Sequence, residues 1–482
     1  MSNVKLRSGE SIPLEMHKTR IVQQLTLLPV NERLEKMREA GFNTFMLKNR
    51  DVFLDMLTDS GTNAMSDKQF AAMMQADESY AGSETFYRLE AVLQDVFGMK
   101  HFVPAHQGRA CEHIIARTMV KPQSVAIMNY HFTTTKAHIT LMGGVVEEII
   151  VDEGLKVSST APFKGNIDID KLNAAIKRIG KDNICFVRIE AGTNLVGGQP
   201  VSMQNIREVS RICRAGGIRT VFDASLLSDN LYFIKIREKE FANANVKEIT
   251  REIGSLMDII YFSARKLGSS RGGGIITSDD ALYSKMRELV PLFEGFLTYG
   301  GMSTRDMEAT AVGLIEALDM DVISQTPIFV AALANELQAK GIPIVTPPGG
   351  LGCHVHAGAF CAHIPQEQYP AGALAAALYI ASGVRGMERG TLSEQRNPDG
   401  SERLAEMELV RLAIPRRVFT LSQIQFVADR VAWLFENRHM IGGLKFTDEP
   451  KVLRFFIGKL DAIGGWPQAL ADKFAKDFNG SL

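Results

Sequence analysis

The chain has 482 residues, 45% of them apolar and 23% charged, with a net charge of −1. This is an ordinary globular balance, long enough for two or three domains' worth of core, with no electrostatic pull toward nucleic acid or an anionic membrane. No apolar run approaches the roughly 20 residues that span a bilayer. The charged N-terminus lacks a signal-peptide core, and five scattered cysteines suit a reducing compartment, so the expectation is a cytoplasmic protein.

Residues 1–30 read as an arm. Leu34, Met37 and Ala40 share one face of a helix expected over 31–40, and 43–47 and 52–57 read as extended. Residues 58–63 are a hydroxyl-rich turn. Ser66 followed three positions later by Gln69 is a capping-box pattern that opens a helix to about residue 76. After a polar loop around Tyr80, the stripe Phe86, Leu89, Val92 and Leu93 predicts a helix over 84–97.

From residue 101 the pattern alternates. Strands are expected over 101–104, 124–128, 147–151, 183–189, 219–223 and 257–262, with helices over 132–142, 170–180 and 205–215 between them. Such alternation argues for βα units and a mostly parallel sheet. A long helix runs from 313 to 340, with a break placed at Pro327. A Pro/Gly cluster at 343–350 marks a boundary. Beyond it an alanine-rich helix at 371–381, a strand at 409–414 and an amphipathic helix at 422–436 read as a smaller α+β domain. The division is 1–60 as arm and part of the small domain, 61–340 as the large domain, and 341–482 as the small domain.

Chemistry concentrates at the ends of strands. Lys266 follows a buried strand, beside Ser263 and Arg265 and ahead of three glycines. Asp223 ends another buried strand. Gln107-Gly108-Arg109 lies where a strand gives way to a helix N-terminus, whose free N–H groups and dipole favour a phosphate. Together these segments suit pyridoxal 5′-phosphate (PLP). Lys266 would link to the cofactor, Asp223 would keep the ring nitrogen protonated, and Phe132 would lie on the ring face. Cys353, His354, His356, Cys361 and His363 match no standard zinc spacing, and no metal is assigned to them.

Several segments, in this order, resemble the β-eliminating lyase family of PLP enzymes: Thr58-Asp-Ser-Gly-Thr-Asn-Ala-Met-Ser-Asp67, Tyr80-Ala-Gly-Ser83, His106-Gln-Gly-Arg109, Phe132-Thr-Thr-Thr135, Asn194-Leu-Val-Gly-Gly-Gln-Pro-Val201, Gly383-Val-Arg-Gly-Met-Glu-Arg-Gly390 and Arg411-Leu-Ala-Ile-Pro-Arg416. The resemblance implies an aminotransferase type I-like α/β fold: a mostly parallel seven-stranded sheet in the large domain, a smaller α+β domain, and a homotetramer with sites between subunits. It implies a carbon–carbon lyase acting on L-tyrosine or a related aromatic amino acid. Tyr80 would be the general acid toward the leaving group. Arg411, assisted by Asn194, Gln107, Ser60 and neighbouring Thr58, would clamp the substrate carboxylate. Thr133 and Arg389 match the positions that hold the hydroxyl in phenol-releasing members. Phe45, Met387, Phe455 and Phe456 match walls of the substrate pocket.

The departures lie around the cofactor. Leu226 stands where the family has an arginine that contacts the cofactor's phenolic oxygen. Arg265 precedes and Leu267 follows the lysine, where the family has Lys and Asp. Arg271 occupies the place of an asparagine whose carbonyl, with Glu78 and Gly61, holds a monovalent cation. The expectation is that Arg271 reaches Glu78 or the cofactor oxygen and that dependence on the cation is weak. The alternative activity is another β-elimination or a different α-proton reaction, such as transamination.

Overall fold

The computed structural model describes residues 3–397 and 399–479. Its centre is a seven-stranded sheet made of β1 (His101–Ala105), β2 (Val125–Met128), β3 (Val145–Glu148), β4 (Ile184–Glu190), β5 (Thr220–Asp223), β6 (Ile259–Ser263) and β7 (Gly273–Thr277). The order across the sheet is β1-β7-β6-β5-β4-β2-β3. Only β7 runs against its neighbours; every other pair is parallel. All but the edge strand β3 are buried on both faces, as helix-covered parallel sheets require. Alternation sends Phe222, Ile260 and Ile276 into one apolar cluster and Val221, Ile259 and Ile275 into another. The same polarity brings Glu190, Asp223 and Ser263 to one edge of the sheet. Ligands bind at this carboxyl edge in open α/β sheets.

A second, antiparallel sheet has β8 (Gly352–His356), β9 (Met387–Arg389) and β10 (Leu409–Ala413), in the order β8-β10-β9. Beside it the alanine-rich helix Pro370–Ser382 is buried along its whole length, which an apolar surface on every side demands. It packs on the helices Val30–Glu39, Leu421–Glu436 and Trp466–Asp477. Leu54–Asp55 pairs in parallel with Val384–Arg385, and Arg385 Nε donates to Asp55 Oδ1 at 2.9 Å. Residues 54–60 thus run between the two sheets toward Lys266.

The predicted capping box forms. Gln69 N donates to Ser66 Oγ and Ser66 N to Gln69 Oε1, both at 3.0 Å. The Gln69 amide also donates to the carbonyls of Gly268 and Ala309, anchoring the loop after the lysine. The alternating helices and strands fall within a few residues of expectation. Two readings need correction. Residues 43–47 are not extended but turn through a 3₁₀ helix, Thr44–Met46, because the Asn43 side chain accepts from Phe45 N and donates to the carbonyls of Phe455 and Gly458. The long helix breaks near Asp319, which caps Met320–Ile323, and not at Pro327. Pro327 sits in the first turn of Gln325–Ala339, where a missing N–H costs nothing. Among the described residues no single helix is long and apolar enough to cross a membrane.

Candidate active site

Asp223, at the end of β5, is held by three donors. Arg188 Nη2 and Tyr261 OH reach Oδ2 at 2.7 and 2.8 Å, and Ser225 N reaches Oδ1 at 2.9 Å. Arg188 and Glu190 alternate with apolar residues on β4 and Tyr261 comes from β6, so the strands on either side of β5 deliver two of the donors, and Ser225 follows β5 itself. Arg188 also donates to Tyr261 OH at 3.0 Å and to Glu190 Oε2 at 3.1 Å. Burial is opposed by the surrounding carboxylates and Tyr261, and Arg188 ends well above the ordinary arginine value. Tyr261 OH lies 3.4 Å from Glu112 Oε1, and Glu112 accepts from the hydroxyls of Thr134 and Thr135 at 2.5 and 2.6 Å. Burial lifts the Glu112 carboxyl to about 7. Sequence reading missed this shell. Its one signal was two charges inside the otherwise apolar Ile184-Cys-Phe-Val-Arg-Ile-Glu190.

Lys266 Nζ lies 5.6 Å from the centroid of the Phe132 ring, and Arg389 Cζ lies 5.8 Å from the same ring. Phe132 therefore brings together the lysine and the arginine. Arg389 is 5% exposed, and its Nε and Nη1 have no hydrogen-bond partner among the described residues. Burial and the neighbouring Arg411 guanidinium push it well below the ordinary arginine value. Thr133 lines the same pocket with Tyr130, His131, Leu195 and Glu394. Phe45 meets Phe455 and Phe456 edge-to-face at 5.6 and 5.0 Å, the latter two lie tilted 4.0 Å apart, and Arg109 stacks on Phe456 at 5.4 Å.

Arg411, the expected carboxylate clamp, is held in place by its neighbours. Arg411 donates to Asn194 Oδ1 at 2.8 Å, to Leu57 O at 2.6 Å and to Met387 Sδ at 2.7 Å, leaving its own Nε and Asn194 Nδ2 without partners among the described residues. Asn194 N in turn donates to Glu190 Oε1 at 2.9 Å. A continuous buried chain thus joins Arg411 to Asp223.

The residues fit PLP. Gly108 opens the helix Gly108–Met119, and a Cβ there would stand 3.0 Å from Ser263 Cβ. Gly61, at φ +79°, leaves room for the Arg265 guanidinium, which a Cβ would meet at 2.5 Å. Arg265 donates weakly to Ser60, and burial together with the charges of Arg271 and Arg109 lowers its pKa. Among the described residues no carboxylate within ion-pair distance answers Arg109, Arg265 or Arg271. Three cations beside a helix N-terminus await an anion.

Not every expected residue joins this cluster. Tyr80 is 72% exposed and packs on Phe296 and Tyr299 at 5.4 and 5.6 Å. Glu78 pairs with Arg305 at 3.6 Å, whereas Arg271 is exposed. Within the chain the expected contact from Arg271 to Glu78 does not form, and the exposed Glu78 carboxylate meets Arg305 instead. Buried Leu226 lines a small cavity with Lys266, Asp59 and Arg416. His354 is driven to about 3 by burial and Arg411 and rests on the Gly352 carbonyl.

A lysine just past one strand end and an aspartate at another, both at the carboxyl edge of this sheet, suit a PLP-dependent enzyme of the aminotransferase-like fold. The family model described as Beta-eliminating lyase matches residues 55–430, and the chain belongs to that family. It is 45% identical to a tyrosine phenol-lyase of Symbiobacterium thermophilum over 93% of this chain and 98% of that one. It is 44% identical to a tyrosine phenol-lyase of Pasteurella multocida over the same shares. A serine palmitoyltransferase from S. paucimobilis, solved with PLP and myriocin, matches with a TM-score of 0.57 at 13% identity over 81% of this chain and 89% of that one, a likeness of fold.

Proposed function

We propose that this lyase cleaves L-tyrosine or a closely related aromatic amino acid to phenol, pyruvate and ammonium, with PLP carried on Lys266. The supporting observation is Arg389, a buried guanidinium with two unpartnered nitrogens, in one pocket with Thr133. Such a group needs an oxygen from its ligand, and a phenol hydroxyl supplies one.

In this reading Arg411 grips the substrate carboxylate, its fork already oriented by Asn194 and Leu57. Lys266 takes the α-proton. PLP, when bound, supplies an electron sink for the charge left on that carbon. Asp223, fixed by Arg188 and Tyr261, holds the ring-nitrogen proton. Gln107, Gly108, Arg109, Ser263 and Arg265 hold the phosphate. Arg389 and Thr133 orient the phenol hydroxyl, and Phe45, Met387, Phe455 and Phe456 exclude water from the ring. Tyr80 protonates the ring carbon so that phenol departs. Tyr80 is exposed on its own chain, so it serves the site of a neighbouring copy, in the homotetramer that the family resemblance implies.

A second reading rests on Leu226. With no arginine there, the enzyme acts on another β-substituted amino acid or catalyses a different α-proton reaction such as transamination. Incubating the loaded enzyme with L-tyrosine and assaying pyruvate and phenol decides between them. Absence of pyruvate from both tyrosine and dihydroxyphenylalanine removes the first reading.

A further inference from the structure

The cavity beside Lys266 is lined by Asp59, Ser228, Asp229 and Arg416 as well as the lysine. Each of these four keeps one buried polar atom without a hydrogen-bond partner among the described residues: Asp59 Oδ1, Ser228 Oγ, Asp229 Oδ1 and Arg416 Nε. Native interiors rarely leave such atoms unpaired, so a cluster of them in one place calls for partners that the chain itself does not supply. Asp59 Oδ1 is also the carboxylate oxygen beside the lysine, 3.9 Å from Lys266 Nζ. It is the only ion-pair partner of Lys266 among the described residues. Closing about 1 Å brings the pair to hydrogen-bond distance. The charged groups around Asp59 are Lys266, Arg411 and Arg416, with Asp229 across the cavity. A turn seats Asp59, with Thr62 N donating to its carbonyl and Ser60 N to Thr58 Oγ1.

We propose that Asp59 is the positioning residue that relieves Lys266 of the proton taken from the substrate, with the cavity as its polar outlet. This rests on the reading of Lys266 as the cofactor lysine and base. In the first step the Cα–H bond breaks, Lys266 Nζ gains the proton, and the electron pair stays with substrate and cofactor. In the second the proton passes from Nζ to Asp59 Oδ1, leaving a neutral amine and a neutral acid. Asp59 then releases it through the cavity, past the oxygens of Ser228 and of Asp229, which pairs with Arg416 at 3.6 Å, to solvent. The lysine must be neutral to rejoin the cofactor when turnover ends, so the proton has to leave it.

The test uses full-length holoenzyme, wild type and Asp59→Asn, with alanine deuterated at the α-carbon. Alanine has no leaving group, so exchange is read apart from elimination. Loss of deuterium to water is expected to slow by about tenfold or more in Asp59→Asn at unchanged PLP content, and Asp59→Glu is expected to recover to within about threefold of wild type. Uptake of PLP by the apoprotein into a borohydride-trappable linkage is expected to slow about fivefold or more in Asp59→Asn. Exchange and uptake both within about twofold of wild type overturn the proposal. So does a Glu variant as impaired as Asn. Should the Asn variant fail to fold, Asp59→Ser takes its place with the same thresholds. Peptide mapping after borohydride treatment separates the two layers. PLP trapped on a lysine other than 266 overturns the lysine reading itself, whereas PLP on Lys266 with unchanged exchange overturns only the role of Asp59.

Discussion

Arg188 Nη2 donates to Asp223 Oδ2 at 2.7 Å, in a place where the two side chains are only 1% and 8% exposed. An arginine so deep is tolerable only because Glu190 and the Tyr261 hydroxyl take its other N–H groups. The pair fixes the carboxylate that, in the proposed reading, would meet the cofactor ring, and through Glu190 and Asn194 it is tied to Arg411.

Tyr261→Phe tests that shell. It removes a donor to Asp223 and strands Arg188 Nε. The expected cost is about 1–3 kcal/mol of folding stability, read by denaturant midpoint. A kcat lower by about fivefold to twentyfold, with KM little changed, is expected alongside, because only Asp223 and not the substrate clamp has lost a contact. An unaltered kcat would show that Arg188 and Ser225 hold Asp223 unaided.

Arg389→Met tests the ring pocket. It removes two unpartnered N–H donors, and charge-assisted hydrogen bonds to a ligand are worth about 1.5–3 kcal/mol. Elimination from tyrosine is expected to fall by about 10- to 150-fold. An S-alkylcysteine, whose thiol leaves without help from Arg389, should react at close to the wild-type rate. Equal losses on both substrates would mean that Arg389 supports the fold and not the phenol.

Arg411→Lys tests the clamp. A lysine cannot reproduce the planar fork now shared between Asn194, Leu57 and an open position. KM for tyrosine is expected to rise about tenfold or more, while an amine substrate analogue lacking the carboxylate should bind both enzymes alike. Equal weakening of both ligands would remove the clamp assignment.

Much of this architecture could be read from residue order. Alternating apolar strands and amphipathic helices declare a parallel sheet because each strand must be buried on both faces. Lys266, Asp223 and Gly108 announce themselves by lying at strand ends. What escaped detection is the part made by contact across strands. Arg188, Glu190 and Tyr261 sit on β4 and β6 as isolated residues, and nothing in their spacing says that they converge on Asp223. Asp59 was hidden within a hydroxyl-rich turn, and its meaning comes from Lys266, more than two hundred residues away in the chain. Tyr80 carried a motif but lies exposed beside Phe296 and Tyr299, and its surroundings could not be read from the motif.

The pH dependence of stability carries the mark of Glu112. Burial raises this carboxyl from the ordinary value of 4.5 to about 7, against the pull of the Thr134 and Thr135 hydroxyls. Between those values the folded protein keeps a proton that the unfolded chain has lost, so the folded state binds more protons. Stability therefore falls as pH rises through this window; below 4.5 Glu112 costs nothing, and above about 7 its full penalty is present. The shift corresponds to about 3 kcal/mol as an order of magnitude. Asp229, raised to about 6, and Glu388, raised to about 7, act with the same sign, so the effect of Glu112 is isolated by difference. Glu112→Gln keeps the volume, and its amide can serve both threonine hydroxyls once they rotate. Measured by denaturant unfolding from about pH 5 to pH 8, the variant is expected to gain on the wild type steadily as pH rises, by up to about 3 kcal/mol. Parallel stability curves for the two proteins would show that Glu112 is ionised throughout, its charge already balanced by Arg188 through Tyr261.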